Sequence, residues 1–103
     1  MTFQRIAAQA DVPVGEVRVF DLAGVSIALA NVGGRFYAVD NVCTHDGGPL
    51  GEGALFDGQV ECPRHGARFD LSSGRVVVLP AVRPVRIHAV KVDGEDVKVD
   101  LDV

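Results

Sequence analysis

Apolar and polar residues alternate in short runs along this chain, and turn-forming residues interrupt the runs every few positions. In Val25–Val32, Val25, Ile27 and Leu29 take every second place, which is the period of a strand with one face in a core. No stripe of i, i+3, i+4, i+7 spacing lasts for several turns, so long helices are not expected. The pattern predicts strands over Glu16–Leu22, Val25–Val32 and Arg35–Asp40, with Gly33-Gly34 as the tight turn between the last two. Further on, Asp57-Gly58 joins two short runs and Ser72-Ser73-Gly74 joins Ala67–Leu71 to Arg75–Leu79. Asp93-Gly94 then joins Pro84–Val92 to Asp96–Leu101. An all-β, antiparallel fold follows.

Length adds a bound: 103 residues supply one domain and no second core, so residues 1–103 are read as a single unit. No repeat or linker interrupts it, and the glycine-rich stretch Gly47 to Gly53 is too short to separate domains and reads as a functional loop. A composition of 48% hydrophobic and 23% charged residues argues against disorder. The formal charge of −4 disfavours nucleic acid, whose phosphates repel an acidic surface, and favours a basic docking face on a protein partner. Residues 1–12 include Arg5 but no uninterrupted apolar run, so neither a signal peptide nor a membrane span is read there. A cytoplasmic monomer is expected. In a reducing compartment, two cysteines close to histidines point to metal rather than to a disulfide.

Candidate chemistry sits in two blocks, Cys43-Thr44-His45-Asp46-Gly47-Gly48-Pro49-Leu50 and Cys62-Pro63-Arg64-His65-Gly66-Ala67-Arg68-Phe69-Asp70. In each, a thiol and an imidazole lie within one turn of backbone, and the flanking Gly and Pro permit a tight loop that aims both at one centre. Cys43, His45, Cys62 and His65 are therefore the candidate ligands. Two Cys and two His fit a structural zinc site as well as an iron–sulfur cluster. Zinc sites usually pair like with like, whereas here each loop offers one of each, which favours the cluster and leaves a zinc interaction module as the alternative.

The motif Cys-x-His, sixteen residues, then Cys-x-x-His-Gly, together with Pro63 and Phe69-Asp70, resembles the Rieske ferredoxin family, and the likeness extends over most of the chain. The resemblance implies an antiparallel β-sandwich or barrel with a small cluster-binding subdomain of two loops, spanning about residues 41–80. It also implies one [2Fe-2S] cluster, with Cys43 and Cys62 on the inner iron, His45 and His65 on the outer iron, and Pro80 in a third covering loop. The implied role is a soluble ferredoxin that carries single electrons from a flavoprotein reductase to a terminal oxygenase. A small subunit of a larger reductase, such as nitrite reductase, is the second possibility.

Departures from the high-potential relatives carry information too. Gly48 and Arg64 stand where those proteins have a disulfide, and Ala67 and Phe69 stand where they have Ser and Tyr hydroxyls that donate to cluster sulfur. Without those donors, the potential is expected near the low end of a range of roughly −150 to +300 mV. Leu50 and Phe69 are candidates to shield the inner iron, or simply to fill the core. His88 is the only histidine left, too few for a second iron site of two His and a carboxylate, so no substrate chemistry is expected in this chain. Arg64 and Arg68 flank the second block and are candidates for contact with a partner.

Overall fold

The alternation read along Val25–Val32 becomes the central strand of the molecule. A computed structural model describes residues 2–44, 47–63, 66–78 and 83–101 and places ten strands among them. In chain order these are β1 (Gln4–Ala8), β2 (Val17–Leu22), β3 (Val25–Val32), β4 (Arg35–Asp40), β5 (Ala54–Phe56) and β6 (Gln59–Glu61). They continue as β7 (Arg68–Asp70), β8 (Val76–Val78), β9 (Ile87–Asp93) and β10 (Asp96–Asp100). All pairings are antiparallel, in a six-stranded sheet ordered β1-β10-β9-β4-β3-β2 and a four-stranded sheet ordered β5-β6-β7-β8. β1 comes back into contact with β2, so the larger sheet curls into a nearly closed barrel.

Side-chain alternation lets β3 and β4 serve two cores at once. Ile27 and Leu29 point into the barrel, where they meet Phe36, Ala38, Val97 and Val99. Ala28, Ala30 and Val39 take the opposite face, and the small sheet packs on them with Val60, Phe69 and Leu71. Alanine at 28 and 30 leaves room for that second layer to lie close. Phe69 is fully buried there, which contributes about 1.5–3 kcal/mol relative to leaving it in water.

The expected turns carry their hairpins: Val32 pairs with Arg35 across Gly33-Gly34, and Phe56 pairs with Gln59 across Asp57-Gly58. At the last hairpin Asp93 itself pairs with Asp96, which puts the turn at Gly94-Glu95. Two differences matter for the site. β9 starts at Ile87 rather than Pro84, because Pro84 has no N–H to give a ladder and residues 83–86 run instead as a strap between the sheets. On that strap the Val85 N–H donates to the Gly74 carbonyl at 2.9 Å, and the Arg86 carbonyl accepts the Asp40 N–H at 2.9 Å. β1 has no counterpart among the strands that the sequence pattern predicts, because its register shifts between Arg5 and Ala7 and breaks the alternation that would mark it. Among the described residues no helix is long and apolar enough to cross a membrane.

Candidate metal centre

Cys43 follows β4 after two residues and Cys62 directly follows β6, and the described residues on either side of the two loops are joined by the same backbone bonds. The Cys43 N–H donates to the Gly48 carbonyl at 2.7 Å, while the Gly47 N–H donates back to the Cys43 carbonyl at 2.7 Å. The Cys62 N–H donates to the Ala67 carbonyl at 2.7 Å, and the Gly66 N–H to the Cys62 carbonyl at 3.0 Å. Each loop thus closes by the same pair of bonds at the same offsets. The closing glycines have φ of 78° at Gly47 and 77° at Gly66, a conformation that side chains with a Cβ resist. The described ends of two unrelated stretches of sequence share one hydrogen-bond plan.

Cys43 and Cys62 are thiols rather than a disulfide, both are about 99% buried, and both belong to the core that joins the small sheet to β3 and β4. Leu50, Ala67 and Phe69 share that core and are fully buried, so packing and shielding fall to the same side chains. His45 and His65 lie outside the described residues, as do Arg64 and Pro80. What the structure brings together is therefore the cysteine half of the predicted ligand set. Gly48 is buried against Cys43, and Ala67 and Phe69 present no hydroxyl, as read from sequence.

Arg68 proves to be occupied within its own sheet. It sits opposite Glu61 in the β6–β7 register, its Nε is 3.0 Å from a Glu61 carboxylate oxygen, and its guanidinium lies 4.3 Å from the centre of the Phe56 ring. A partner that recruited it would first have to break these contacts.

Thr44 could not have been singled out from sequence. Its hydroxyl donates to the Arg83 carbonyl at 2.6 Å and ties the first cysteine loop to the strap. His88 is buried between β4 and β9, with Nε2 2.7 Å from Asp40 Oδ1, while Arg86 Nε is 4.0 Å from the other Asp40 oxygen. This is a structural histidine with a carboxylate partner, in keeping with the role expected of it. At the end of β7 the Asp70 carboxylate accepts the Ser72 hydroxyl at 2.7 Å and the Ser72 N–H at 2.8 Å. These bonds, helped by Arg75, hold its carboxyl below the usual range.

Comparison with known proteins fits this geometry. Residues 2–94 match the family model described as the Rieske [2Fe-2S] domain. The chain is 46% identical over 93 residues to the 3-phenylpropionate/cinnamic acid dioxygenase ferredoxin subunit of Shigella boydii serotype 4 (strain Sb227), covering 89% of this chain and 87% of that one. Among solved structures, the ferredoxin of carbazole 1,9a-dioxygenase from Nocardioides aromaticivorans IC177 superposes with a TM-score of 0.91 at 34% identity, covering 96% of this chain and 97% of that one. A complex of reduced oxygenase and oxidized ferredoxin in carbazole 1,9a-dioxygenase matches with a TM-score of 0.87 at 32% identity, covering 94% of this chain and 91% of its counterpart. By sequence, fold and the paired cysteine loops, the chain belongs to the Rieske [2Fe-2S] domain family.

Proposed function

We propose that Cys43, His45, Cys62 and His65 hold one [2Fe-2S] cluster, and that the protein is a cytoplasmic, monomeric, single-domain carrier of single electrons from a flavoprotein reductase to a terminal oxygenase. The observation that carries this reading is the pair of matched loops, each of which presents a buried cysteine two or three residues before a histidine. Their donor chemistry suits such a cluster, two thiolates and two imidazoles being the set that distinguishes it from an all-cysteine one. When bound, the cluster supplies reversible one-electron chemistry, made easier than in an all-cysteine site because two neutral imidazoles leave its oxidised form without net charge.

The chain's own residues set the surroundings. Leu50, Ala67 and Phe69 exclude water from the cysteine side, and the Gly47 and Gly66 bonds keep the loops in register. Kinship to dioxygenase ferredoxin subunits at 46% identity favours a separate carrier over a permanently bound reductase subunit. Metal and sulfide analysis with a reductive titration tests the proposal. The expected result is two irons, two labile sulfides and uptake of one electron per chain; zinc without sulfide would replace it with the interaction-module reading.

A further inference from the structure

The charge of −4 is unevenly distributed. Residues 41–86 contain five arginines and five carboxylates, whereas the rest of the chain contains five cations and nine carboxylates. The whole negative surplus therefore lies outside residues 41–86 in the sequence. Beside the Cys43 loop the surface forms an open depression whose lining includes Asp40, Val42, Thr44, Arg83, Pro84 and Arg86. Val42 is 36% exposed, Arg83 and Pro84 are exposed, and the Arg86 side chain is about half exposed. The Thr44 hydroxyl on the Arg83 carbonyl ties the Arg83 backbone to the cysteine loop, and the Asp40 N–H on the Arg86 carbonyl ties Arg86 to β4. Asp40, the one carboxylate among the described residues of the lining, is engaged by His88 from the interior, and its other oxygen lies 4.0 Å from Arg86 Nε, a loose pair that leaves the half-exposed Arg86 open to a second carboxylate.

We propose that this depression is the docking seat for an acidic surface of the redox partner, whose carboxylates are received by Arg83 and Arg86 while Val42 and Pro84 supply the apolar contact. The inference rests on the carrier reading above and adds the chemistry of the partner. Arginine is well suited to the task, since its planar fork pairs with a carboxylate through two bonds, and arginine beside apolar surface is common at the energetic centre of interfaces. The acidic total charge does not contradict this. Screening acts over about 8 Å at physiological salt, whereas the molecule extends 37 Å, so a partner at the Cys43 loop feels the two arginines and the single Asp40 of the depression more than the carboxylates at the far end of the barrel. The acidic partner proposed here differs from the basic docking face expected from net charge alone.

Small redox probes test the seat without a partner in hand. The reduced, cluster-loaded protein is mixed by stopped flow with ferricyanide, a trianion, or with tris(phenanthroline)cobalt(III), a trication. One electron passes from the protein to the probe's metal, and no other group moves. At about 0.1 M ionic strength, Arg83→Glu should slow ferricyanide by roughly threefold or more and speed the cobalt probe, with Arg86→Gln acting in the same direction more weakly. Lys91→Glu makes the same change of charge about 16 Å farther along β9 than Arg86 and should leave both rates within about 1.5-fold. If Arg83→Glu folds poorly, as judged by its visible spectrum and melting point, Arg83→Gln serves with about half the effect. Equal responses to Arg83→Glu and Lys91→Glu, or a wild-type ferricyanide rate that rises with added salt, would overturn the acidic-partner inference alone. A reduced protein that passes its electron to neither probe would overturn the carrier reading and the inference with it.

Discussion

The barrel and the small sheet are built on opposite principles. Barrel strands run from five to eight residues and pair over long registers, with an interior of their own formed by Ile27, Leu29, Phe36, Val97 and Val99. Each strand of the small sheet has three residues, and among the described residues the core of that sheet is the one it shares with β3, β4 and the two cysteines. Ladder bonds and burial are enough to hold the first; the second relies on tight loops, the strap and, in our account, a metal centre. A metal that binds only the folded form adds its binding energy to stability, so the small sheet should depend on it most.

The strongest way to break this contrast is to remove a ligand. Cys62→Ser should abolish cluster assembly, with complete loss of visible colour, and amide exchange should accelerate in β5–β8 while β3 and β10 stay protected. Uniform acceleration across both sheets would show that they do not differ as described. A smaller effect is expected at Gly74, where the small sheet meets the strap. Its φ is +79°, and an added Cβ would run into the Val85 carbonyl and the Ile87 side chain. Gly74→Ala should therefore cost about 2–5 kcal/mol, from backbone strain and overpacking together. Denaturant melts would report it, and a loss of under about 1 kcal/mol would mean that the strap yields easily.

Tuning effects come next. Ala67→Ser and Phe69→Tyr restore the hydroxyls absent from the buried face. A hydrogen bond to a charged acceptor contributes about 1.5–3 kcal/mol, and if roughly half of that distinguishes reduced from oxidised, each variant should raise the potential by several tens of millivolts. Variants that assemble and form the bond but leave the potential unmoved would refute this explanation of a low potential. The slightest change is expected at Asp70. Its folded-state pKa is lowered, chiefly by the Ser72 hydroxyl, so it adds stability above the ordinary carboxylate range and loses it as pH falls from about 5 through its lowered value. Asp70→Asn should remove that contribution, lowering the melt slightly near pH 7, leaving it unchanged in acid below the lowered pKa, and so flattening the acid limb of the profile.

The same contrast explains what could be read from the chain. Val25–Val32 and Arg35–Asp40 were legible with the bounds later observed, because a period of two and a Gly-Gly turn are local properties. The cysteine loops were legible because their ligand types and glycines repeat at similar spacings. β1 escaped because its alternation is broken by the register shift between Arg5 and Ala7, and β9 was begun too early because nothing local distinguishes a strap through Pro84 from a strand. Arg68 was read as a candidate for docking, yet the Asp57-Gly58 hairpin stacks it on Phe56, and the β6–β7 pairing sets it opposite Glu61. Such long-range contacts, like Thr44 with Arg83 and His88 with Asp40, are set by tertiary structure and have no signal in a single chain.

The central claim is that two of the three histidines ligate iron while the third, His88, is structural. Pulsed electron paramagnetic resonance on the reduced protein, grown with nitrogen-15 histidine, tests this most directly. Two directly coordinated histidine nitrogens should appear, vanish when His45 or His65 is replaced and the cluster is lost, and persist unchanged in His88→Gln. A reduced centre with no histidine coupling, or one whose coupling disappears only with His88, would contradict the account.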